Sequence, residues 1–215
     1  MTGLYALKTW YTRRLGSVVD VAVSRGLSPD LFTAAGVVAA AVASVAIAAG
    51  QPVVAAFAMA ARLAGANLDG AVARARSVSR PWGFVLNELG DRTADLLGFA
   101  GLAVLAAATG SGPGTGVALV GVAALAASLP TFASLAAAAA GARRSNEGPV
   151  GKTERCVLLV AAAAVPAAIE VVCVVIVIGS LATAAVRLVA AHHGLTSRAG
   201  PDRRAERHAP AGGTP

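Results

Sequence analysis

Long apolar stretches, interrupted by short polar or Gly/Pro-containing breaks, organise this chain. Runs rich in Ala, Val and Leu cover 31–49, 52–73, 84–109, 116–141, 156–169 and 171–191. Most reach the roughly 17–25 residues that a helix needs to cross a bilayer core. The pattern therefore predicts an all-α polytopic membrane protein with six transmembrane helices. The fifth run is short, and Pro166 with Glu170 blurs its boundary with the sixth, so five spans is the fallback. Ser28 before Pro29 predicts an N-cap and first helical turn at the start of span one. Ahead of it, "LKTWYTRRLGSVVDVAVSRG" (7–26) mixes Trp, Tyr and basic residues with apolar ones, which suits a helix lying in the interface. No apolar h-region follows the early basic residues, so a signal peptide is not expected.

These readings divide the chain into an interfacial helix and lead-in (1–30), a six-helix transmembrane domain (31–192) and a basic cytoplasmic tail (193–215). The tail is rich in Pro, Gly and charge and is expected to be disordered. No second domain or repeat is apparent.

Composition sharpens the picture. Hydrophobic residues make up 56% of 215, charged residues only 13%, and mean hydropathy is +0.69, which excludes an ordinary soluble domain. The net charge of +7 raises nucleic acid as a partner, but its placement argues for lipid. Lys8, Arg13, Arg14 and Arg25 precede span one, and Arg74, Arg76 and Arg80 separate spans two and three. Arg143, Arg144, Lys152 and Arg155 separate spans four and five, and Arg198, Arg203, Arg204 and Arg207 lie in the tail. The opposite connections, "GQP" (50–52) and "GSGPGTG" (110–116), carry no charge. The positive-inside rule then puts both termini in the cytoplasm, in a multi-pass protein of the cell membrane. Basic residues meet anionic headgroups, and no nucleic acid is expected. Cys156 and Cys173 read as small hydrophobes in helix packing.

Polar residues concentrate at one level. "NLDGAVARARSVSRPWGFVLNELGDRTAD" (67–95) holds three aspartates, one glutamate, four arginines and three glycines. Asn87, Asp91 and Asp95 recur every four residues and share one side of a helix, with Glu88 between them. Asp69 is expected to face this row from the adjacent antiparallel helix. Carboxylates in a membrane line wet cavities, paired or metal-bound, and several at one depth suit a hard divalent ion. Gly70 and Gly83 allow a ligand close to the backbone, and the planar fork of Arg74 suits phosphate oxygens. Such a site fits a phosphoanhydride carried on a lipid. Arg62, seven residues before Asp69, is expected to pair with a site acid or to touch substrate.

These residues also carry a family resemblance. "DGAVAR", then eight residues, then Gly, resembles the core of the CDP-alcohol phosphotransferase signature, D-x2-D-G-x2-A-R-x8-G-x3-D-x3-D. Asp69, Gly70, Ala73, Arg74, Gly83 and Asp91 match it, while Ala66 and Asn87 stand at the first and third aspartate positions. "GLSPDLFTAAG" (26–36) is similar to the family's lead into its first span. "NELGDRTAD" and "EGPVGKTER" (147–155) resemble a divergent bacterial branch in which the first signature aspartate is also replaced.

The resemblance implies a divalent-metal-dependent phosphatidyltransferase of phospholipid biosynthesis. Such an enzyme takes a CDP-activated lipid donor, CDP-diacylglycerol or similar, and a small polar alcohol acceptor, and releases CMP. It further implies Mg²⁺ or Mn²⁺ and a homodimer among membrane lipids. Carried onto this chain, Asp69, Asp91, Asn87 and Glu88 are the metal-site candidates. Asp69, Gly70, Ala73, Arg74 and Gly83 form the CDP pocket, with Asp91 or Asp95 as catalytic base. Asn67, Glu88 and Asp95 lie close enough in sequence to compensate for the missing carboxylates, so one metal and two both remain open. Lys152 and Arg155 are candidates for an acceptor phosphate, or are simply positive-inside charges. The rival reading from another class is a degenerate homologue that binds CDP-lipid or a partner protein without turnover. A small ion carrier fits poorly, because spans one and four hold almost no polar residues.

Overall fold

A computed structural model describes residues 15–110 and 116–206, with side chains described to residue 197. Its described residues form seven α-helices and no strand: α1 (Gly16–Ser24), α2 (Pro29–Ala48), α3 (Pro52–Ala75), α4 (Pro81–Ala108), α5 (Val117–Ala139), α6 (Lys152–Ala164) and α7 (Ile169–Glu206). A short 3-10 turn, Pro166–Ala168, joins the last two. Prolines open α2, α3 and α4 at a first-turn position, where the missing N–H costs nothing. The Ser28 hydroxyl accepts the backbone N–H of Asp30 at 3.3 Å, the N-cap that the sequence predicts.

Three helices are long and apolar enough to cross a membrane by length and composition: Pro29–Ala48, Val117–Ala139 and Pro166–Ser197. The helices α3 and α4 have the length, at 24 and 28 residues, but carry the charges of the site. Outward-facing Val45, Phe57, Leu125, Phe132 and Ile178 are each at least 63% exposed. An outer surface of that kind belongs in lipid, not water.

Several expectations need correction. The predicted fifth span begins earlier, at Lys152, and α6 is 13 residues long. That is about 20 Å, short of the ~30 Å hydrocarbon core. Its apolar run is broken at Val165, because Pro166 cannot continue the hydrogen-bond ladder. The last helix runs from Ile169 through Glu206. Of the predicted interfacial segment, only α1 falls within the described residues, and residues 1–14 and 207–215 lie outside them.

The arrangement of the central helices also differs from expectation. The helix α2 packs along both α3 and α4, while α3 and α4 touch each other little. Small residues allow this. A Cβ on Gly65 would come within 2.6 Å of the Phe32 carbonyl oxygen and 2.8 Å of the Gly36 Cα, and one on Gly101 would run into the Ser44 backbone. Close helix crossings in lipid depend on such positions. The apolar core lies on the far side of the site, where Ile47, Met59, Leu102, Leu159 and Ile176 are buried together.

Candidate functional site

Because α2 is wedged between them, α3 and α4 face each other across a cleft instead of packing directly. Thr33, Gly36 and Val37 of α2 line it, together with Arg62, Ala66 and Asp69 of α3 and Asn87, Gly90, Asp91 and Ala94 of α4. The four positions of the signature aspartates, 66, 69, 87 and 91, therefore meet in one cavity. Asp69 is 4% exposed. One of its oxygens accepts from the Thr33 hydroxyl at 2.9 Å and the other from the Gly70 N–H at 2.5 Å. Asp91 is held differently, with the Lys152 ammonium 3.0 and 2.9 Å from its two oxygens.

One turn further along α4, Asp95 is the hub of a buried ion cluster. Its carboxylate meets Arg62 at 2.5 Å, Arg155 at 2.7 Å and Arg92 at 2.9 Å. Arg62 also donates to the Cys156 sulfur at 2.7 Å. Glu88 lies to one side and pairs with Arg144 at 2.6 Å, and that guanidinium sits 5.1 Å from the centre of the Phe84 ring. The cluster holds more donors than acceptors. The Nε atoms of Arg62, Arg92, Arg144 and Arg155, and Nη1 of Arg92, are buried without a hydrogen-bond partner among the described residues.

The segment that delivers Lys152 and Arg155 is anchored on α5 and α7. Arg187 donates to the carbonyl oxygens of Glu147 and Pro130, each at 2.9 Å. The Thr183 hydroxyl accepts the Val150 N–H at 3.0 Å, and the Ser134 hydroxyl donates to the Ser145 carbonyl at 2.6 Å. The Glu154 carboxylate accepts the Gly151 N–H at 3.0 Å and closes the start of α6.

Among the residues singled out in the sequence, Asp69, Asn87 and Asp91 line the cleft, while Glu88, Asp95, Lys152 and Arg155 flank it through ion pairs. Ala73 and Arg74 stand in the last turn of α3 and Gly83 in the first turn of α4, on either side of the connection and outside the cleft lining. The Arg74 guanidinium folds over Gly70, where an added Cβ would stand 3.2 Å from it, and the Arg80 side chain covers Gly83. Arg80 also pairs with Asp30. Sequence reasoning missed Thr33, Arg144 and Arg187. For Arg187 a signal existed, since it is the single charged residue in 171–191. Thr33 and Arg144 carry no such signal, because their partners lie 36 and 56 residues away.

The donor set decides what ion the cleft fits. Among the described residues no three His, Cys, Asp or Glu side chains converge as a cage. Mg²⁺-like ions bind through one or two carboxylates completed by waters and substrate phosphates. Asp69, Asp91 and the Asn87 amide supply a set of that kind, so one divalent ion fits.

The fold is shared with a solved enzyme. The chain superposes on Mycobacterium tuberculosis phosphatidylinositol phosphate synthase with CDP-DAG bound, with a TM-score of 0.69 and 23% identity over 81% of this chain and 92% of that one. The same synthase in complex with manganese and citrate also gives 0.69, covering 87% of its chain, and its apo form gives 0.63, covering 94%. No protein-family model and no curated protein sequence matches the chain. At this identity the likeness establishes the fold.

Proposed function

We propose that the chain is a membrane CDP-alcohol phosphatidyltransferase that moves a phosphatidyl group from CDP-diacylglycerol, or a similar CDP-lipid, to a polar alcohol and releases CMP. The observation that carries this reading is the convergence of positions 66, 69, 87 and 91 in one cleft between α3 and α4. A fold shared with a synthase solved with CDP-DAG supports it. In this reading the six helices α2–α7 form the membrane domain, with the site at the cytoplasmic side.

Asp91 acts as the base. It takes the proton of the acceptor hydroxyl, and the alkoxide oxygen attacks the phosphorus that bears the diacylglycerol. The bond from that phosphorus to the CMP oxygen breaks, and CMP leaves with the electron pair. Lys152, 2.9 Å from Asp91, fixes the direction in which that carboxylate faces the cleft. Asp95 is less suited to the role, because three guanidinium groups compete for its lone pairs. Its part is to hold α3, α4 and α6 together. A divalent ion bound by Asp69, Asp91 and Asn87 would polarise the phosphoanhydride as a Lewis acid. Arg74, exposed near the end of α3, is in this reading the residue that meets donor phosphate. Lys152 and Arg155, which flank the cleft through Asp91 and Asp95, favour an acceptor that itself carries phosphate.

The test is CMP release from CDP-diacylglycerol by the protein in lipid nanodiscs, with Mn²⁺ or Mg²⁺ and pooled alcohols and phosphorylated alcohols. Release that is lost in Asp91→Ala supports the enzyme, and mass spectrometry of the new lipid names its acceptor. The missing carboxylates at Ala66 and Asn87 favour one second reading, a homologue that binds CDP-lipid without turnover. Donor binding with no release from any acceptor would establish that instead.

A further inference from the structure

The charge balance of the cleft differs from what a pair of dications requires. At the four signature positions this chain offers two carboxylates, one amide and one methyl group. Two dications would bring four positive charges against two negative ones. The neighbouring acids are already committed. Glu88 pairs with Arg144 at 2.6 Å. Asp95 is 6% exposed and bound by three arginines, and recruiting it would strand the buried guanidinium groups of Arg62 and Arg155.

A positive charge is instead built in. The Lys152 ammonium spans both oxygens of Asp91, at 3.0 and 2.9 Å. It is not a side chain that drifts in from a loose loop. The backbone just before it is held by Thr183 at Val150, by Arg187 at Glu147 and by Glu154 at Gly151.

We infer that this cleft takes one divalent ion, among Asp69, Asn87 and Asp91, and that Lys152, paired with Asp91, supplies the second positive charge in place of a second ion. One dication and one lysine against two aspartates leave a single surplus positive charge, which a diphosphate easily meets. Two dications beside Lys152 would leave three. This inference rests on the proposed function only for the identity of the diphosphate ligand.

The test is Mn²⁺ titration of the full chain in nanodiscs, read by electron paramagnetic resonance. The wild type is expected to bind one Mn²⁺ per chain with no spin coupling, and Asp69→Asn to lose it. Lys152→Met removes a cation beside the ion and should tighten Mn²⁺ binding about tenfold or more. Adding Ala66→Asp and Asn87→Asp to Lys152→Met should admit a second, spin-coupled Mn²⁺. A coupled pair in the wild type, no Mn²⁺ binding, or no tightening in Lys152→Met would each overturn the inference. The wild-type stoichiometry decides the matter even if Lys152→Met does not fold. CDP-diacylglycerol binding, measured separately, keeps the two readings apart. One uncoupled Mn²⁺ without CDP-lipid binding upholds the single-ion site and defeats the proposed function, whereas CDP-lipid binding with a coupled pair does the reverse.

Discussion

Asp91 and Asp95 stand one turn apart on the same helix, and their surroundings give them opposite parts. Asp91 faces a cleft, is half-buried and meets one flexible ammonium. Asp95 is sealed in by Arg62, Arg92 and Arg155. A carboxylate with one lysine keeps lone pairs for a substrate proton or a metal. A carboxylate shared by three guanidinium groups cannot leave without exposing several buried charges at once. Identical residues at helical spacing thus separate into chemistry and architecture through the cations that reach them.

Breaking this contrast should give the largest effects first. Asp91→Ala is expected to lower the rate of CMP release by about 10³-fold or more while leaving the thermal midpoint in detergent close to that of the wild type. Asp95→Ala should do its damage through stability, by about 3–5 kcal/mol, read as a large drop in that midpoint and in folded yield. If Asp95→Ala instead stayed folded and lost only turnover, the assignment of the two aspartates would have to be exchanged.

Arg187→Met probes the contrast from a distance. It removes the ties to Glu147 and Pro130, so the segment that positions Lys152 should loosen. A fall in turnover of about tenfold is expected, since small misplacements of catalytic groups cost that much or more. Arg187→Met made on top of Asp91→Ala should cost no further turnover. Glu88→Gln should matter least. Its pair with Arg144 is partly exposed, and such pairs contribute about 1 kcal/mol or less, so a thermal shift near zero is the expected reading. A collapse of the fold there would show that the buried cluster extends further than Asp95.

Much of the molecule was legible from local pattern. Proline at the starts of α2, α3 and α4 and the apolar runs between breaks located the helices. The four-residue spacing put Asn87 and Asp91 on one side of α4, and both line the cleft with Asp69. The wedge of α2 between α3 and α4 was not legible. It depends on Gly36, Gly65 and Gly101 letting backbones meet, and glycines spaced along an alanine-rich span look alike until their partners are known. The fifth span was misjudged because an apolar run records burial and lipid exposure alike, without stating how far the helix travels before Pro166.

The chain by itself determined its helices, their apolar faces and the positions that converge on the cleft, because backbone periodicity and proline geometry act over a few residues. Only the tertiary structure decided which cation answers which acid. Arg62 reaches Cys156 across 94 positions, and Lys152 reaches Asp91 across 61. Long, flexible side chains find such partners only after the helices are in place, so no local pattern could distinguish the carboxylate that faces the cleft from the one captured by three arginines.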